Sequence, residues 1–139
     1  MSEANVELAR RGYARWSAGD VEGMIELITP DFEFVPVIAA SVEGGSVKGP
    51  DESRRFFMGL NETWETFRID VDEFRDLGDR VMSSGRLIAK GRGSEVELDH
   101  PFYSVVWIRD GRFARMQSFL ERDAAEAAAA VDTESETRR

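Results

Sequence analysis

Tyr13-Ala-Arg-Trp-Ser-Ala-Gly-Asp-Val-Glu-Gly-Met-Ile-Glu-Leu-Ile-Thr-Pro-Asp-Phe-Glu-Phe34 spells out a helix, a stop and restart, a second helix and the entry into a strand. Just upstream, Val6 and Ala9 continue the three- and four-residue spacing of Tyr13 and Trp16, which predicts one amphipathic helix over about residues 5–18. Gly19 can take the left-handed conformation that ends a helix, and Asp20 can accept from the free backbone N–H groups of the next one. Met24, Leu27 and Ile28 form the apolar face of that second helix, which Thr29-Pro30 is expected to stop. Phe32 and Phe34 then alternate around Glu33, the period of a strand.

Downstream, a mixed apolar segment runs from Val35 to Ala40, and Glu43-Gly-Gly-Ser46 reads as a turn. Gly49-Pro50-Asp51-Glu52 opens a third helix, with proline in the first turn and acids where the helix dipole favours them. Phe56, Phe57, Leu60 and Trp64 supply its buried side. From Thr66 the period is two: Phe67, Ile69 and Val71 alternate with Arg68, Asp70 and Asp72. Turns at Leu77–Arg80, Gly91–Ser94 and Asp110-Gly111 separate this strand from three more, Val81–Ala89, Glu95–Ile108 and Arg112–Glu121. An alanine-rich helix over Ala124–Val131 precedes a polar tail, 132–139. Helices first and antiparallel strands after predict an α+β fold in one domain, residues 1–131, with three main helices packed on one face of a curved antiparallel sheet.

Composition narrows the function. With 18 basic against 27 acidic side chains the formal charge is -9, which repels phosphate backbones, so no nucleic-acid partner is expected. Cysteine is absent, which removes disulfides, zinc–thiolate sites and thiol nucleophiles and fits a reducing cytoplasm. No segment approaches the roughly 18–20 apolar residues that span a bilayer, so no membrane partner is expected. Gly91-Arg-Gly93 lies between strands and lacks the third glycine of a dinucleotide loop; Gly44–Gly49 lacks the spacing of a phosphate loop. One histidine and no calcium-loop spacing among the carboxylates leave no metal site to expect, and no cofactor is implied. A serine–histidine–acid triad would need His100, but there is no nucleophile elbow.

Tyr13-x-x-Trp16-x-x-Gly19-Asp20, Thr29-Pro30-Asp31-Phe32, Lys48-Gly49-Pro50-Asp51-Glu52, Gly78-Asp79-Arg80-Val81 and Arg109-Asp110-Gly111-Arg112 occur in an order that resembles the SnoaL-like polyketide cyclases, part of the nuclear transport factor 2-like superfamily. The resemblance runs from about Val6 to Arg122. It implies a cone of helices and curved sheet around a pocket for a small aromatic or polycyclic molecule, cofactor-independent acid/base chemistry of cyclase, isomerase or hydrolase type, and a homodimer. Of the three groups used by related ketosteroid isomerases, the helix tyrosine falls on Gly12 beside Tyr13, the base near Pro36-Val37, and the strand acid near Tyr103. Two of the three are thus missing, and no Asp-Arg-Asp relay of the limonene-epoxide hydrolase kind is found.

Asp99, His100 and Tyr103 are the candidate proton-handling residues, because an acid, the one histidine and a tyrosine fall together on one predicted strand. Neighbours on a strand face opposite ways, so Asp99, Tyr103, Val105 and Trp107 oppose His100, Phe102, Ser104 and Val106. The family comparison assigns the Tyr103 side to the pocket. The expected lining is Tyr13, Trp16, Phe57, Tyr103, Val105, Met116, Ser118 and Leu120. Arg68, Arg86 and Arg92 read as solvated charges. The alternative function is a noncatalytic ligand-binding or dimerisation module. The dimer is further suggested by Phe102–Ile108, which is apolar on both parities and needs a cover on its outer side.

Overall fold

The computed structural model describes residues 3–37 and 45–130. Leu8, Ala9, Gly12, Tyr13 and Trp16 form the buried stripe of α1, Glu3–Ser17. Gly19 takes a φ of 72° beyond its end, and the Asp20 carboxylate accepts from the Gly23 N–H at 3.0 Å to cap α2. That second helix, Val21–Ile25, is shorter than expected. Strand β1, Ile28–Val35, already contains Thr29-Pro30, so the proline lies inside a strand rather than ending a helix. A register shift between Ile28 and Glu33 interrupts the β1 ladder there, and a residue without an N–H is tolerated where no ladder bond is needed.

A two-residue strand not foreseen from the sequence, β2 (Val47–Lys48), pairs with β1 and leads into α3, Gly49–Thr63, with Pro50 in its first turn. Four long strands follow: β3 (Trp64–Asp76), β4 (Arg80–Gly91), β5 (Glu97–Arg109) and β6 (Arg112–Phe119). They form an antiparallel meander, and the Asp110-Gly111 turn takes positive φ at both residues, 54° and 74°, as a tight hairpin requires. The sheet order is β2-β1-β6-β5-β4-β3, and β1 runs parallel to β6, so the sheet is mixed where a wholly antiparallel one was expected. The described chain closes with α4, Arg122–Ala130. Residues 38–44, covering part of the apolar segment and part of the Glu43–Ser46 turn, and the tail from 131 lie outside the described residues. No helix of the described residues is long and apolar enough to cross a membrane.

The sheet's two faces have separate cores. On the concave face Val81, Leu87, Ala89, Phe102, Val106, Phe113 and Met116 pack with the stripe of α1 and with Phe57 of α3. On the convex face Met82 and Val105 pack against Ala125 and Ala129 of α4. Each fully buried side chain of valine, methionine or phenylalanine size contributes about 1.5–3 kcal/mol relative to exposure, so both faces help to hold the sheet. The outer face of Phe102–Ile108 thus has a cover from its own chain, α4, where a second copy is expected from the sequence.

Candidate functional site

Between the helices and the concave face is a cavity of about 210 Å³. Trp16 of α1 and Phe56 and Leu60 of α3 form its helical side. Phe34, Pro36 and Val37 at the end of β1, Trp64 and Phe67 of β3, Leu87 of β4, Leu98 and Phe102 of β5, and Ser118 of β6 complete the walls. Among these lining residues there is no ionisable group, and Ser118 is the only one bearing a hydroxyl. The rim carries Leu98, which is 43% exposed although apolar.

Trp16 organises the wall. Its ring stacks on Phe67 at 5.8 Å and meets the rings of Phe34, Phe57 and Phe102 edge-on at 5.9, 5.4 and 6.4 Å. Such geometries suit the ring quadrupoles and fix the indole in place. Behind it is a crevice of about 20 Å³ bordered by Gly12, Tyr13, Phe57 and Met116, too small for a ring compound. Gly12 is there because a Cβ would come within 2.7 Å of the Phe113 ring.

Across the concave floor Ser83, Ser104 and Ser118 are direct partners on β4, β5 and β6. The Tyr13 hydroxyl is hydrogen-bonded to the Ser104 hydroxyl. Burial pushes the Tyr13 phenol up to about 12, against a smaller opposing effect of the Ser104 and Ser83 hydroxyls, so it stays protonated at neutral pH. A phenol held this way keeps its proton and is a poor general acid.

The three candidate proton-handling residues do not converge. Asp99 is exposed and its Oδ1 accepts from Arg86 Nε at 2.5 Å. Tyr103 packs beside the α4 core on the convex face, with Arg122 over its ring at 5.1 Å. His100 has the concave parity of Phe102, but its Nδ1 lies 2.7 Å from the Pro101 carbonyl oxygen, a contact the Nδ1–H tautomer makes as donor. Val105 is fully buried under α4, so Tyr103 and Val105 leave the expected lining and Phe102 takes their place. Leu120 lies beyond the end of β6 and is 37% exposed. Trp16 and Ser118 do line the cavity, whereas Tyr13, Phe57 and Met116 border the crevice behind Trp16.

The reason for the parity error is local. Arg109↔Arg112 and Ile108↔Phe113 pair directly out of the turn, but the next pair is Trp107↔Arg115, leaving Ala114 as an extra residue. That bulge sets Ser104, not Tyr103, opposite Ser118 and exchanges the faces of β5 relative to β6. Of the arginines read as solvated, Arg92 is exposed and also donates from Nε to the Glu62 carbonyl at 2.8 Å and from Nη2 to the Asn61 carbonyl at 2.6 Å, capping the end of α3. Arg68 pairs with Asp70 in an exposed position, and Arg86 with Asp99.

The isomerase-like positions can now be placed. Gly12 underlies Phe113, and Pro36 and Val37, where a base was sought, are apolar cavity walls. Among solved structures, an NTF2-like protein of unknown function from Burkholderia pseudomallei K96243 is similar at a TM-score of 0.76 and 20% identity, covering 94% of this chain and 100% of its own. TerC, co-crystallised with polyporic acid, is similar at 0.73 and 23% identity, covering 93% and 100%. A candidate SnoaL-like polyketide cyclase from Jannaschia sp. CCS1 is similar at 0.74 and 21% identity, covering 95% and 97%. At these identities the likeness is one of fold. Among curated proteins none matches this sequence. A family model described as the SnoaL-like domain matches residues 9–116, and the chain belongs to that family.

Proposed function

We propose that this protein binds a small, neutral, largely apolar ring compound in the cavity between α1, α3 and the concave sheet face. The carrying observation is the make-up of the walls: the rings of Trp16, Phe34, Phe56, Trp64, Phe67 and Phe102 with aliphatic side chains between them, and one hydroxyl. Apolar walls supply affinity and sparse polar groups supply orientation. The co-crystallisation of TerC with polyporic acid on a similar fold supports the same kind of occupant. Acid/base catalysis finds less support, because a catalytic group has to reach the substrate and no ionisable side chain is among the described lining residues.

The test is calorimetric titration with naphthalene, on the native protein and on Leu98→Trp, which places a larger ring at the exposed rim. Binding to the native protein and a loss of about tenfold or more in the variant support the role. Equal affinity in both places the ligand elsewhere and contradicts it.

For assembly, the reading is a homodimer through the convex face. It is supported by Tyr103, Trp107 and Phe119, which are only partly buried around α4.

A further inference from the structure

Three separate spaces meet at one side chain. Trp16 borders the cavity, the crevice of about 20 Å³ and a further gap of about 10 Å³ beside Gly19 and Asp20. Among the described residues it is the only wall that the cavity has in common with either of the other two. Its indole is a fixed partition. The ring lies nearly parallel to Phe67, a cavity wall, and to Tyr13, a crevice wall, at interplanar angles of 18° and 13° and centroid distances of 5.8 and 6.0 Å. Phe34, Phe57 and Phe102 meet it edge-on. To swing aside, the indole would have to give up all of these contacts together.

A fixed partition limits what the cavity takes. At interior packing density, about 0.74, its 210 Å³ hold roughly 155 Å³ of atoms. Two fused aromatic rings fill most of that space and four exceed it, so further rings stay in water at the rim beside Leu98. We infer that Trp16 is the size filter of this site and determines its specificity: it admits one- and two-ring compounds and turns away the larger fused systems for which the crevice would have to be opened. This rests on the binding role proposed above.

Naphthalene and pyrene measure the filter, since both are neutral aromatic hydrocarbons and differ in ring number. A site with room for both favours pyrene about tenfold through its greater apolar surface. In the native protein, equilibrium dialysis is expected to give the two nearly equal affinity, with pyrene ahead by less than about threefold. Trp16→Ala joins the cavity to the crevice, and there pyrene leads by about tenfold; Trp16→Phe, which keeps an aromatic side chain in the core, moves the ratio part of the way. The methyl resonance of Met116, a crevice wall, shifts with pyrene in Trp16→Ala, whereas that of Met82 on the convex face stays in place. A native lead for pyrene of about threefold or more overturns the filter and leaves the ring-binding role standing, before any variant is made. A ratio that keeps its native value in either folded variant also overturns the filter. If neither hydrocarbon binds the native protein, the ring-binding role fails and takes the filter with it.

Discussion

The phenolic hydroxyl of Tyr13 on α1 is hydrogen-bonded to the hydroxyl of Ser104 in the interior of β5, tying the first helix to the sheet. Both residues are buried, at 6% and 0% exposure, so neither group has water to fall back on. The contact fixes the turn of α1 that also carries Trp16, and through Trp16 it sets the helical wall of the cavity.

Tyr13→Phe leaves the Ser104 hydroxyl without its partner and is expected to lower unfolding free energy by about 1–3 kcal/mol. Ser104→Ala likewise leaves the Tyr13 phenol without its partner, and the double variant is less destabilised than the sum of the two single variants, because both remove one interaction. Urea unfolding of the three variants checks this.

The same tyrosine gives a pH signature. Its folded-state pKa is raised by burial to about 12 from an ordinary 10.0, so its neutral form is favoured by folding. The stability this contributes is present in full below pH 10 and is lost as pH rises through about 12, because the unfolded chain gives up the proton first. The native protein therefore loses stability more steeply over that interval than Tyr13→Phe does, as equilibrium unfolding at successive alkaline pH values measures.

Arg92→Ala uncaps α3 by removing donors to the Asn61 and Glu62 carbonyls, at an expected cost of about 1 kcal/mol. Arg92→Lys recovers only part of it, since an ammonium cannot reproduce the fork that spans two carbonyls. Thermal melts of the two variants give the order, with the lysine variant between the native protein and the alanine variant.

The homodimer has its own test. Sedimentation at micromolar concentration is expected to return about twice 15.7 kDa, and Trp107→Glu, on the convex face, is expected to return a monomer. A native protein that sediments as a monomer removes the proposed assembly.

Much of the frame was legible because short-range chemistry decides it. The Gly19-Asp20 stop and cap, the proline in the first turn of α3 and the Asp110-Gly111 turn each act within a few residues, and all three are present. Pro30 misled because a proline stops a helix and also tolerates an irregular strand, and only the pairing of β1 with β6 shows which applies. The candidate site was less legible for a single reason. One unpaired residue, Ala114, exchanged the faces of β5 relative to β6, moving Tyr103 and Val105 to the convex side and bringing Phe102 inward. A bulge has no strong sequence mark, whereas its consequence runs the length of the strand. The spacing of Phe56, Leu60 and Trp64 marks the buried side of α3, but burial alone does not tell a core wall from a cavity wall.

The central claim is that a ring compound occupies the cavity on the concave face. The protein has three tryptophans, and they are placed as a built-in comparison: Trp16 and Trp64 line the cavity, and Trp107 packs on the convex face beside α4. The most direct measurement follows the three indole N–H resonances in a ¹H–¹⁵N spectrum during titration with naphthalene. The account predicts saturable shifts of Trp16 and Trp64 with one common affinity while Trp107 stays in place; an unchanged spectrum, or movement confined to Trp107, contradicts it.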